Sequence, residues 1–195
     1  MRHPWQMAPL GGAAQIARKI SRQLPELRTA RLLLRAPRIN DFDAYSRIVT
    51  SDRGRYIGGP LTQEEAWLDF NQLTAGWLLR GAGLWTVERN DGGAPIGFVL
   101  LAHEFGDPEA ELGFLFLPEG EGRGYAAEAT RAARDVAFDL LGWQTVVSYI
   151  DPANSRAIRL AETLGAVSDD AARLMLPEID SCLVYRHVQP KGEAS

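Results

Sequence analysis

The chain has one cysteine, Cys182, in 195 residues. That excludes an internal disulfide and a metal cluster built on several thiolates. It also lacks an apolar run approaching the roughly 20 residues of a membrane-spanning helix. Its first residues carry Pro4, Pro9, Gly11 and Gly12 instead of the continuous apolar core of a signal peptide. Excess positive charge is missing too. The formal net charge is -4 and the pI about 5.4, whereas a nucleic-acid binder usually shows a basic face. These absences lead us to expect a cytoplasmic protein with no membrane partner, no nucleic-acid partner and no metal.

What is present is a globular balance, with 46% apolar and 24% charged residues. A chain of this length fits one domain and buries about 70% of the surface its unfolded form exposes. Residues 1–27 read as an extension, disordered or loosely docked, in which 13–24 could form a basic helix. The domain proper is expected over 28–188 and a tail over 189–195. Residues 31–36 read as a strand, and Asn40 or Asp41 can cap a helix to 48. Residues 51–60 are loop. Thr62-Gln-Glu-Glu65 is a capping box that starts a helix reaching about 80. The period then changes to strands at 84–87, 96–102 and 110–117, with a hairpin turn at Asn90-Asp-Gly-Gly93. A helix over 125–141 ends at Gly142. A strand over 145–150, a helix over 155–164 and a last strand near 181–187 complete a mixed α/β pattern.

The most informative stretch is 112–127, LGFLFLPEGEGRGYAA. An apolar strand stops at Pro118, glycines follow at 120, 122 and 124, and a helix begins. Unpaired N–H groups at a helix start, the helix dipole and close-approaching glycines suit phosphate. Two ligands fit. Gly122, Gly124 and Ala127 match the dinucleotide pattern G-x-G-x-x-A, with Asp151 where a ribose-binding acid would sit. Against this, the glycines follow three antiparallel strands, Pro118 to Glu121 intervene, and too few residues remain for a doubly wound sheet.

The second reading uses more of the chain. Glu121-Gly-Arg-Gly124-Tyr-Ala126, then Ala127-Glu128-Ala129, resembles the acetyl-CoA loop of the GCN5-related N-acetyltransferase (GNAT) superfamily. The wording is similar to its branch of ribosomal-protein N-terminal acetyltransferases. Asp151-Pro-Ala-Asn154 with the helix to Gly165 resembles the family's Asn segment. Arg28-Thr-Ala-Arg-Leu-Leu-Leu-Arg35 and Asp41-Phe-Asp43 resemble that branch's opening strand and helix. The resemblance implies a mixed, mostly antiparallel sheet of about seven strands with helices on both faces. It also implies acetyl transfer from acetyl-CoA to a primary amine of a small molecule or protein N-terminus, and relatives that often form dimers. Three departures stand out. Glu121 replaces the usual Gln or Arg, Ala157 stands where a Ser is common, and Ala161 where other branches carry a Tyr acid. They leave open a module that binds acyl-CoA without turnover, and a nicotinamide-dependent oxidoreductase remains a third reading.

For acyl transfer, a lysine-like amine with a pKa near 10.4 must lose a proton before it attacks. Glu111 is the candidate base, because it shares a strand face with Gly113 and Leu115 and apolar walls would raise its pKa. Similar family members place a water-activating Glu on this strand. A surface Glu at a strand start is the competing account. His103 and Glu104 are further candidates. By resemblance, backbone groups of Phe116 and Leu117 serve the pantetheine arm and the oxyanion. Gly122, Arg123, Gly124, Tyr125, Ala126 and Ala127 serve the pyrophosphate. Asn154 bonds the coenzyme or caps its own helix, and Arg159 reaches a phosphate or stays solvated. Tyr56 and Trp85 are candidates to wall the acceptor site. Asp169, Asp170, Glu178 and Asp180 could attract a cationic amine.

Overall fold

The computed structural model describes residues 3–176 and 181–189. Eight strands form one sheet. They are β1 (Leu27–Arg28), β2 (Leu32–Arg35), β3 (Leu84–Arg89), β4 (Gly97–Ala102), β5 (Glu111–Phe116), β6 (Val146–Ile150), β7 (Val167–Ser168) and β8 (Leu183–His187). Their order across the sheet is β1-β2-β3-β4-β5-β6-β8-β7. Every pairing among them is antiparallel except β5 with β6. A dinucleotide fold would need a run of parallel strands, so the glycine pattern does not sit in one. The sheet has one strand more than expected. β1 and β7 are two-residue strands, too short to leave a period in the sequence.

The faces follow from alternation. Leu32, Leu34, Trp85, Val87, Val99, Leu101 and Leu112 project to one side. There they meet α4 (Tyr125–Asp139), whose Ala129, Ala133 and Ala137 are fully buried. Alanine at every fourth position makes a small, smooth stripe that lets the helix lie close to the sheet. α5 (Ser155–Thr163) packs on the same side through Ala157 and Ala161, against Ile150 and Tyr185. The other side carries Leu84, Phe98, Leu100, Ala102 and Leu115, covered by α2 (Phe42–Val49) and α3 (Gln63–Leu79). The capping box forms as written. Thr62 Oγ1 accepts from Glu65 N at 3.2 Å, and Glu65 Oε2 accepts from Thr62 N at 2.8 Å.

The N-terminal segment holds α1 (Gly11–Ser21), none of whose residues is buried. Ahead of it, the Trp5 ring lies 4.8 Å from that of Trp67 and 5.8 Å from that of Phe42. An indole that buries area on two aromatic partners is an anchor, so this segment is held against the domain there. Residues 51–60 include a 3-10 helix, Asp52–Tyr56. Between β7 and the last described residues of that connection lies α6 (Asp170–Arg173).

One feature of the sheet positions everything else. The parallel pair β5–β6 is registered only at Glu111 and Val147. Beyond that point Ser148 Oγ donates to Leu112 O at 2.6 Å, in place of a backbone ladder bond. His187 Nε2 lies 3.0 Å from the same hydroxyl. The single hydroxyl hydrogen is used on the carbonyl, so we assign the hydrogen on Nε2 to His187. Burial, reinforced by Arg134, pushes the His187 pKa down to about 4. From here the two strands part.

Candidate active site

Backbone direction along β5 decides which groups the parting strands leave open. Leu117 N–H donates to Ile96 O at 3.0 Å, on the β4 side, and Ala110 O accepts from Val147 N at 3.0 Å, on the β6 side. Successive residues of a strand turn their backbone groups to opposite edges. Odd-numbered residues of β5 therefore face β4, and even-numbered residues face the gap. Leu112 O, taken by Ser148, obeys this rule. Phe114 and Phe116 come next, and no strand among the described residues pairs with them on that side. Their N–H and C=O groups form an open polar edge. This corrects one expectation. Phe116 faces the gap, but the Leu117 N–H is used by Ile96 and its side chain is buried in the core. Phe114 takes the second place, and strand parity alone would have shown it.

The glycine loop stands at the mouth of this gap. Gly122 and Gly124 adopt φ of +71° and +75°, which side chains rarely tolerate. Gly124 is the N-cap of α4 and supplies no side-chain cap. The first intrahelical bond is Glu128 N to Gly124 O at 3.1 Å, so the N–H groups of 125, 126 and 127 have no intrahelical partner. Arg31, from the turn between β1 and β2, braces the loop from behind. Its Nη1 donates to Arg123 O at 2.9 Å, its Nε donates to Glu128 Oε2 at 2.6 Å, and its guanidinium lies 4.7 Å from the centre of the Tyr125 ring. A carbonyl drawn toward Arg31 turns the Gly124 N–H of the same peptide the opposite way. The opening Arg28–Arg35 motif and the glycine-loop motif are thus one bonded unit.

The gap widens into a cleft of about 520 Å³. Phe114, Phe116, Gly122, Gly124, Ala126, Ala127 and Asn154 line it, as does Tyr56 from the facing 3-10 helix. Asn154 also caps α5, its Oδ1 accepting from Ala157 N at 3.2 Å. Arg159 does not line the cleft. At about 100° per residue, 156, 157 and 160 share the cleft side of α5, and 159 lies roughly 100° off it. Arg156 and Arg53, which the sequence reading did not single out, line the cleft instead. Nothing local marks Arg53, and Arg156 and Arg159, three apart on one helix, are neighbours that period alone does not separate. Trp85 is fully buried and donates from Nε1 to Pro25 O at 2.8 Å, so it walls no site. Arg123 is exposed, with its carbonyl held by Arg31.

Glu111 lies at the other end of β5, where β5 and β6 are still joined. Its pKa is raised to about 8, first by burial and then by the nearby charges of Glu104 and Asp107. Glu104 is raised to about 7, mainly by burial, with Asp69 and Asp107 adding to it. Its carboxylate accepts from Gln72 Nε2 at 3.2 Å. His103 is exposed, 2.8 Å from Asp107 O. Asp169 caps α6 and pairs with Arg186 at 2.6 Å, so its charge is already engaged. Glu178 and Asp180 lie outside the described residues. Among the described residues no group of His, Cys, Asp and Glu could hold a metal ion, and no helix is long and apolar enough to cross a membrane.

A mixed sheet whose one parallel pair splays open beside a glycine-loop helix start defines a mixed α/β domain with an anion-ready cleft. The family model for the acetyltransferase (GNAT) domain matches residues 31–167, and the chain belongs to that family. It is similar to a crystal structure of an acetyltransferase from Agrobacterium tumefaciens str. C58. The TM-score is 0.79 and the identity 38%, covering 85% of this chain and 95% of that one. It is 30% identical over 105 residues to the uncharacterized protein YkkB of Bacillus subtilis (strain 168), covering 53% of this chain and 60% of that one. It thus spans about three fifths of the length of YkkB. The fold is shared by RimL, a ribosomal L7/L12 alpha-N-protein acetyltransferase solved with coenzyme A. There the TM-score is 0.65 and the identity 14%, covering 84% of this chain and 98% of RimL.

Proposed function

We propose that this chain is an N-acetyltransferase that moves an acetyl group from acetyl-CoA to a primary amine. The amine belongs to a small molecule or to a protein N-terminus. The observation that carries the reading is the open edge of Phe114 and Phe116, running into a glycine-lined, uncapped helix start. An extended amide-bearing arm needs backbone donors and acceptors along its length, and a pyrophosphate needs convergent N–H groups. The cleft offers both in that order. Phe114 and Phe116 would hold the arm, and Gly122, Gly124, Tyr125, Ala126 and Ala127 the pyrophosphate. Asn154 faces the same space. The coenzyme A complex of RimL, which has the same fold, supports this choice.

When bound, the thioester supplies an activated acetyl group. The chain's own residues position it and handle one proton. The N–H of Phe114, at the closed end of the gap, would donate to an oxygen on which negative charge develops. Glu111, with its raised pKa, is the base. It lies three residues before Phe114, about 10 Å along the strand, so the proton travels through water. The carboxylates around it favour a cationic amine over a neutral one. Ala161 is fully buried in the α5 core and offers no acid. Tyr56 is a cleft-lining phenol whose oxygen accepts from Arg55 Nη2 at 2.8 Å, which leaves its own hydrogen available to donate.

The test is an amine panel of diamines, amino acids and free-N-terminus peptides, each incubated with acetyl-CoA, with free thiol release as the readout. Acetylation of at least one amine class supports the proposal. The lack of a Tyr or Ser at 157 and 161 favours a second reading, a module that binds acyl-CoA without turnover. Tight binding with no transfer across the panel would select it.

A further inference from the structure

Three charged side chains from three separate elements meet over the cleft. Arg53 comes from the 3-10 helix Asp52–Tyr56, Glu121 from the glycine loop, and Arg156 from the first turn of α5. All three line the same cavity. Arg53 Nη1 donates to Glu121 Oε1 at 2.6 Å, and Arg156 Nη2 donates to that same oxygen. Partial burial raises the Glu121 pKa, but the hydrogen bonds from Arg53 and Arg156 outweigh it and hold the carboxyl below its usual range. It is therefore an anion at neutral pH. Two guanidiniums share one anionic oxygen, beside a loop whose backbone is already shaped for an anion.

The exposures decide what this bridge is for. The side chains of Arg53, Glu121 and Arg156 are 33%, 30% and 61% exposed. Ion pairs this open to water contribute little to stability, so the fold does not need them. They can also be exchanged. A guanidinium bonds phosphate in two parallel contacts, which is stronger than one shared carboxylate oxygen.

We infer that Glu121 is a built-in stand-in for phosphate. It holds Arg53 and Arg156 across the cleft until the phosphates of an acyl-CoA take the two arginines over. The inference rests on the acyl-CoA reading above. On that basis Arg53 and Arg156 are the charge-recognising pair. Glu121 is a specificity-determining residue that lowers affinity for all phosphorylated ligands and leaves phosphate-free ones untouched. An acid in a place where the family's loop usually carries Gln or Arg then has a role.

Calorimetry with two probes tests this, acetyl-CoA and phosphate-free acetyl-pantetheine, on wild type, Glu121→Gln, Arg53→Gln and Arg156→Gln. Glu121→Gln should bind acetyl-CoA about threefold to tenfold tighter, with a steeper loss of affinity as salt rises. Each arginine variant should bind it weaker by a similar factor. Acetyl-pantetheine should bind all four proteins equally, which also shows that the loop has kept its shape. The inference is overturned if wild type binds acetyl-CoA and Glu121→Gln binds it no better. It is also overturned if the gain extends to acetyl-pantetheine. If acetyl-CoA binds none of the four, the acyl-CoA reading fails and this inference fails with it.

Discussion

The two ends of the six-residue strand β5 have opposite chemistry. At the Glu111 end the strand is paired on both sides, and carboxylates crowd together until Glu111 and Glu104 are pushed up to about 8 and about 7. At the Phe116 end one side is unpaired, and Arg53, Arg156 and uncapped N–H groups gather around the opening. One end suits an anionic donor and the other a cationic acceptor. A single strand thus carries both surroundings, because parity turns alternate backbone groups toward the gap and register stops the β6 pairing after one residue.

The largest expected effect comes from the acidic end. Glu111→Gln should lower kcat about 100-fold or more and leave acetyl-CoA affinity unchanged. Steady-state kinetics with parallel calorimetry checks this, and a kcat loss below about threefold would remove Glu111 from the reaction. In the wild type kcat should rise with pH through about 8, as the carboxyl ionises, and that limb should vanish in the variant.

Next in size is the brace at the other end. Arg31→Ala frees the Arg123 carbonyl and unpairs Glu128, so acetyl-CoA affinity should fall about tenfold with kcat nearly unchanged. Equal affinity would mean that the loop keeps its shape without Arg31.

The smallest effects are on stability, and their signs differ. The Glu111 pKa is higher in the folded state than the usual 4.5. Its contribution is complete below that value and is lost as pH rises toward 8. Glu111→Gln should therefore gain in melting temperature over wild type as pH increases across that window. The His187 pKa is lower when folded, about 4 against 6.5. Its contribution is complete above 6.5 and is lost as pH falls through 4. His187→Gln should lose less stability than wild type over that acid range. Thermal melts of the three proteins at pH 4, 6 and 8.5 read both signs.

The sequence makes some of this plain and hides the rest for physical reasons. Helix starts are local. The Thr62–Glu65 box and the Asn154 cap each involve four residues, and both form as read. The glycine loop is local too. The splay of β5 from β6 is not, since it depends on where a partner strand 36 residues away stops pairing. Arg156 and Arg159 lie one turn apart on α5, so the sequence does not tell which of them meets the cleft. Arg53 meets Glu121 across 68 residues, and no motif links them. Leu117 failed on parity, which the sequence does contain once one ladder bond is known.

Amide hydrogen exchange, with and without acetyl-CoA, tests the central claim most directly. In the free protein the Phe114 and Phe116 amides should exchange fast, while those of Gly113 and Leu115, bonded to β4, should be protected. Acetyl-CoA should slow Phe114, Phe116 and the 125–127 amides and leave Gly113 and Leu115 as they were. Phe114 and Phe116 amides already protected in the free protein, or unchanged by saturating acetyl-CoA, would contradict the account.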